Sequence, residues 1–225
     1  MDKAALAGRY ERTKAAIPAG VKLIAVSKTR TVEEIKALYD LGQRAFGENY
    51  PQELRDKQPL LPADIEWHFI GHLQGNKVKY IAPFVHLVHG VDSEKLLGQL
   101  NTRAGAAGRE LAVLLQVHIA REETKHGFLP DELRALFTGG SLQARWPSLR
   151  FRGLMGMATL TDDREQVRRE FEALAALKHE LAATGMVPAD AFSELSMGMS
   201  GDLDEALKAG STMVRIGTAI FGERK

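Results

Sequence analysis

The sequence predicts an α/β protein, a (β/α)8 TIM-type barrel carrying an extra N-terminal helix. Short apolar runs that read as strands alternate with helical stretches about eight times along the chain. No low-complexity tract or Pro/Ser linker interrupts residues 1–225, so one barrel domain is expected. Strict alternation of strand and helix implies a parallel sheet. An open doubly wound sheet is the alternative, and eight units favour closure.

The elements follow in order. Residues Lys3 to Ala16 predict the extra helix. The strand-like runs are Leu23–Ser27, Ala45–Glu48, Trp67–Ile70, Leu87–Val91, Leu111–Ile119, Phe151–Met157, Phe192–Met197 and Met213–Ile216. After the first run, Val32, Ile35, Leu38 and Tyr39 share one face of a helix opened by Thr31, with Glu34 three residues on as a capping box. Ser93 opens a helix to Leu100, and further helices are expected over Pro130–Phe137, Asp163–Ala183 and Asp202–Ala209. Gly42 and Gly210 read as helix-ending glycines.

Composition excludes several functions. The chain is 44% hydrophobic and 26% charged with formal net charge +1, so nothing favours a nucleic-acid partner. It has no cysteine, which removes disulfides, thiol nucleophiles and cysteine metal sites and fits a reducing cytoplasm. The N-terminus lacks a signal-peptide core, and no apolar run approaches the roughly 20 residues of a membrane helix. His68 and His72 are four apart, yet Gly71 and the strand-like run before it argue against a helical metal pair, and no metal site is expected.

The chemistry concentrates at strand ends. Lys28 follows the apolar run Leu23 to Val26 and Ser27, which places it at the C-terminal mouth of the barrel, where active-site groups lie. Lys125 also follows a strand, but a polar loop separates it from the mouth. The last two strands each lead into a small-residue turn, Ser196-Met197-Gly198-Met199-Ser200-Gly201 and Gly217-Thr218-Ala219. Such turns expose backbone N–H groups suited to a phosphate, and the loops after strands seven and eight of these barrels commonly form that site. Ser200 also has a plain reading as a helix cap. Arg215, between Val214 and Ile216, is expected to point into the mouth and meet a ring nitrogen or an anion. Asn49 and His68 end the second and third strands and would face the same mouth, although a satisfied core histidine is an equal reading of His68. Met155 and Met157 read as barrel core, one of them packing on a ligand face. A lysine among apolar neighbours facing a phosphate can have its pKa lowered from about 10.4 and attack an aldehyde. An aldehyde with a phosphate handle is pyridoxal 5′-phosphate, held as a covalent imine to Lys28.

The segments AVSKTR, FGENYPQEL, WHFIGHLQGNK, HGVDS, ETKHGF, GLMGMATL and LSMGMSGDLDEALKAGSTMVRIGTAIFG, in this order from about Lys22 to Gly222, resemble the pyridoxal phosphate homeostasis protein family. The resemblance implies a barrel similar to the N-terminal domain of alanine racemase, with Lys28 as the Schiff-base lysine. It further implies that Ser196, Ser200, Gly217 and Thr218 surround the phosphate and that Arg215 approaches the pyridine nitrogen. The departures are a short connection at Ile17–Gly20, His118 where asparagine is expected, and Gly90 where serine is common. None touches the lysine or the phosphate turns.

Two functions are then weighed: a protein that holds and delivers the cofactor, and an amino-acid racemase. After the eighth strand only a short tail ending Glu223-Arg224-Lys225 is seen, with no second catalytic domain expected, and Lys28 is the single base at hand. Two-base racemisation needs groups on opposite faces. An arginine at the ring nitrogen also weakens the electron sink. The expectation is a cytoplasmic, monomeric binding protein without classical turnover, whose partners are the cofactor and apo-forms of enzymes that use it.

Overall fold

The computed structural model describes residues 2–122, 124–188 and 190–223. Eight parallel strands close into a barrel in chain order: β1 (Lys22–Val26), β2 (Ala45–Glu48), β3 (Glu66–Phe69), β4 (Leu87–Val91), β5 (Leu111–Val117), β6 (Leu149–Gly156), β7 (Glu194–Ser196) and β8 (Met213–Ile216). The ring is sealed by β1 pairing with β8, with Ile24 opposite Arg215. The predicted barrel is therefore present. Its second, fourth and eighth strands keep the expected bounds, and the others shift by one or two residues at an end.

The helices α1 (Lys3–Ala15), α2 (Val32–Asp40), α3 (Pro51–Lys57), α4 (Glu94–Ala106), α5 (Pro130–Thr138), α6 (Leu142–Arg145), α7 (Arg164–Ala183), α8 (Leu203–Lys208) and α9 (Thr218–Phe221) surround it. The Thr31 capping box forms as expected, with the hydroxyl accepting from Glu34 N–H and the Glu34 carboxylate accepting from Thr31 N–H. Gly42 and Gly210 take φ +97° and +87°, the left-handed conformation that ends a helix. Ser200 does not cap α8. Asp202 holds that position, and its carboxylate accepts from Met199 N–H at 2.6 Å.

The helix after β8 is only one turn long, and α1 packs against it and against α2. The contact is pinned by Arg9 Nε donating to Ile220 C=O at 2.8 Å. The extra helix thus covers the seam where the barrel closes. The core has two layers. A large apolar cluster lies between strands and helices, and a smaller one of Ile24, Ala45, Leu87, Leu114, Met155 and Met213 fills the barrel interior. Period-two alternation separates them: on β8, Met213 belongs to the inner cluster while Val214 and Ile216 belong to the outer. Among the described residues no helix is long and apolar enough to cross a membrane.

Candidate functional site

At the C-terminal ends of the strands a cavity of about 280 Å³ opens, lined by Val26, Lys28, Arg30, Asn49, Ile70, Met157, Met199, Ser200, Gly201, Arg215, Gly217 and Thr218. Its walls carry three cations and, among the described residues, no carboxylate. A larger cleft of about 560 Å³ lies at the other end, near the end of α1, and is lined by Lys22, Arg44 and Glu66 among others. Two of its cations are paired with carboxylates, Lys22 with Glu66 at 2.7 Å and Arg44 with Asp64 at 3.0 Å, and Lys14 lies over the Tyr10 ring. Barrel chemistry belongs to the C-terminal face.

Lys28 stands on a loop held from below. Ser27 is fully buried, and its hydroxyl donates to Glu48 Oε1 at 2.6 Å. Lys57 of α3 donates to Ser27 C=O at 2.9 Å, to Glu48 Oε1 at 2.8 Å and to Glu53 Oε1 at 2.6 Å. Glu53 also accepts from Thr29 N–H at 2.6 Å. Thr29 takes φ +64°, which is rare for a β-branched residue and must be held by its surroundings. Together these contacts fix the backbone on both sides of Lys28. Arg30, two residues on, donates to Gly222 C=O and lies over the Phe221 ring, which ties the loop to the end of the chain's last helix.

Asn49, just beyond β2, presents a buried Oδ1 that has no hydrogen-bond partner among the described residues. A buried amide oxygen without a partner is costly unless a ligand meets it. Opposite, Gly217 and Thr218 begin α9, so the first N–H groups of that helix have no intrahelical acceptor. A Cβ on Gly217 would lie 3.3 Å from Val26 Cβ, and the glycine keeps this wall close and flat. Ser200 and Gly201 form the facing turn ahead of α8.

Arg215 is 5% exposed yet reaches the cavity. One terminal nitrogen donates to Ser196 Oγ at 2.6 Å and the other to Gly156 C=O at 3.1 Å. Burial lowers its pKa to about 10, so it remains a cation at neutral pH.

The structure gathers Lys28, Asn49, Ser200, Arg215, Gly217 and Thr218 around the cavity, and places two expected residues elsewhere. The Ser196 hydroxyl does not line the cavity. It is fully buried at the end of β7, between Arg215 and His89, because its position on the strand points it into the barrel. His68 likewise does not reach the mouth. It is fully buried inside the barrel, and its Nδ1 lies 2.9 Å from Nε2 of His89. Lys125 turns away, donating to Ala158 C=O and pairing with Glu122.

Arg30, Val26, Ile70 and Met199 were not anticipated as wall residues; of Met155 and Met157, one of which was expected on a ligand face, Met157 lines the cavity and Met155 lies in the inner core. The signal for Arg30 was its place in the same strand-end loop as Lys28. The acidic neighbours of the histidines were also missed. Asp92 lies 3.0 Å from His72 Nδ1 because the ends of β3 and β4 are neighbours in the barrel, and Glu66 lies 3.9 Å from His68 Nε2 because residues two apart on β3 share a face. His72, Asp92 and His126 cluster at the rim. The two imidazoles there are stacked 3.9 Å apart and 15° from parallel, so one ion cannot lie in both ring planes.

A closed barrel whose mouth joins a lysine, a buried arginine and two small-residue turns defines a class, and the family model for the N-terminal domain of alanine racemase matches residues 1–225. The chain belongs to the pyridoxal phosphate homeostasis protein family. It is 43% identical over 225 residues to the pyridoxal phosphate homeostasis protein of Vibrio alginolyticus, covering 96% of this chain and 92% of that one. With the human protein of the same name it shares 42% identity over 214 residues, covering 90% and 76%. The structure of PipY from Synechococcus elongatus PCC7942 with PLP bound superposes with a TM-score of 0.86 at 34% identity, covering 96% of this chain and all of the other.

Proposed function

We propose that this protein binds pyridoxal 5′-phosphate in the mouth cavity, held by Lys28 as a Schiff base, and serves cytoplasmic cofactor homeostasis by passing it to apo-enzymes. The observation that carries this reading is the composition of one cavity: an amine at a strand tip, a buried amide oxygen with no hydrogen-bond partner among the described residues, a buried arginine, and two small-residue turns facing each other. That set suits a phosphorylated aldehyde. The PLP-bound PipY structure supports it.

When bound, the group supplies an aldehyde carbon to which the Lys28 amine adds with loss of water. The chain's own residues do the rest. The turns at Ser200–Gly201 and Gly217–Thr218 present backbone N–H groups and hydroxyls to the phosphate. Arg215 would meet the ring nitrogen as a donor that gives up no proton, which would leave that nitrogen unprotonated and weaken carbanion stabilisation. Met157, Ile70 and Val26 supply apolar wall. Met199 in the cavity wall is 39% exposed, so the bound group would be reachable by an acceptor's lysine. The names of the relatives, homeostasis proteins rather than enzymes, support the binding role.

Borohydride reduction of the protein loaded with pyridoxal 5′-phosphate, followed by peptide mapping, tests the assignment. The label is expected on Lys28 and absent in Lys28→Ala. A label on Lys125, or turnover of amino acids near the roughly 10 per second typical of enzymes that is lost in Lys28→Ala, would overturn the reading.

A further inference from the structure

Beneath the cavity, the barrel interior holds a line of polar side chains that neither the phosphate turns nor the lysine uses. Arg215 contacts Ser196 Oγ at 2.6 Å, Ser196 Oγ contacts His89 Nδ1 at 2.8 Å, and His89 Nε2 contacts His68 Nδ1 at 2.9 Å. His68 Nε2 then faces Glu66 Oε2 at 3.9 Å, beyond direct hydrogen-bond range, and Glu66 is paired with Lys22 at 2.7 Å. The line crosses β8, β7, β4 and β3, from the mouth to the opposite rim. Ser196, His89 and His68 are all fully buried.

The head of the line dictates every proton below it. A guanidinium has five donors and no acceptor, so Arg215 must donate to Ser196. The serine hydroxyl then has its own proton for His89 Nδ1, which must accept. His89 therefore carries its proton on Nε2 and donates it to His68 Nδ1. That leaves the His68 proton on Nε2, on the side of the Glu66 carboxylate. Reversing the order would require Arg215 to accept. Protonating His89 would turn a donor toward Ser196, which already accepts from Arg215, and leave the serine proton without a partner. We infer that Ser196, His89 and His68 are positioning residues for Arg215, joined in a chain with one permitted proton arrangement that holds the guanidinium in the cavity wall. The inference rests on the reading that Arg215 faces the ligand ring.

Electrostatics agree with neutral imidazoles. Burial pushes His68 down to about 4, with the nearby Glu66 carboxylate opposing and His86 and Lys22 reinforcing. Burial also lowers His89 strongly, with His68, Arg215 and His86 adding to it. The permitted arrangement thus persists across the neutral range.

The first test needs no ligand: nitrogen-15 NMR of histidine-labelled protein, with signals assigned through His68→Gln and His89→Gln. Both imidazoles are expected neutral, with the proton on Nε2, and unchanged from about pH 6 to 9. A proton on Nδ1 of either ring, or an imidazolium at pH 7, would overturn the chain. The second test titrates pyridoxal 5′-phosphate by absorbance. Ser196→Ala is expected to weaken binding about ten-fold, the scale of one charge-assisted hydrogen bond, and to alter the absorbance of the bound form. Ser196→Thr, which keeps the hydroxyl, should bind within about two-fold of the original. Unchanged affinity and spectrum in Ser196→Ala would refute the positioning role. If the unaltered protein fails to bind the compound, the functional reading falls with the positioning role, and the NMR result alone then reports on the chain.

Discussion

Replacing Lys57 with methionine tests the network beneath the lysine loop. Glu48 is fully buried, and its Oε1 accepts from Ser27 and from Lys57, itself 7% exposed. Oε2 of Glu48 has no partner among the described residues, so the lysine supplies most of the compensation for a desolvated charge. Even with it, burial raises the Glu48 pKa above its ordinary 4.5. Without the lysine the carboxyl protonates on folding. At pH 7, against an ordinary value of 4.5, that costs about 3.4 kcal/mol at about 1.36 kcal/mol per pH unit. The figure agrees with the roughly 3–5 kcal/mol lost when one member of a buried pair is removed.

The sign with pH follows. A carboxyl whose folded pKa is raised binds protons more readily in the native state, so its contribution is full below about 4.5 and falls as pH rises. Lys57→Met raises that pKa further, so beyond the pH-independent loss of its bonds to Ser27 and Glu53 its deficit should grow from pH 4.5 to pH 7 by up to about 3 kcal/mol. Urea unfolding followed by far-ultraviolet circular dichroism at the two pH values measures it. The double variant Lys57→Met/Glu48→Leu should recover most of the loss, because an apolar pair carries no buried charge. A deficit below about 1 kcal/mol at pH 7, or one equal at both pH values, would refute the reasoning.

Four further outcomes are expected. Thr218→Val should weaken pyridoxal 5′-phosphate binding by about 1 kcal/mol, whereas Gly217→Leu should reduce it far more by pushing on Val26, and pyridoxal without phosphate should bind much more weakly than either change leaves it; isothermal titration compares them, and equal affinity for the two vitamers contradicts the phosphate cup. Gly153 takes φ +149°, and a Cβ there would lie 1.9 Å from Glu194 C=O, so Gly153→Ala should disrupt the β6–β7 pairing and lower the melting temperature by more than about 4 °C, while an unchanged melting curve would show that the strands can part at no cost.

What the sequence determined by itself was local and periodic. Short apolar runs, the Thr31–Glu34 capping box and the helix-ending Gly42 and Gly210 depend on neighbours a few residues away; the box and the glycines are where the pattern puts them, and the strands lie within two residues of it. Lys28, Asn49, Ser200, Arg215, Gly217 and Thr218 were legible because a residue at the end of a barrel strand faces the mouth whatever the remaining packing. What only the tertiary structure decided was lateral. Ser196 meets His89 across 107 positions of sequence, Lys57 meets Ser27 across 30, and Arg9 meets Ile220 across 211. The register in which eight strands close sets those partners, and no periodicity within one strand records it. For this reason His68 and Ser196 were read as mouth residues when the closed barrel places them a layer below, beneath the arginine.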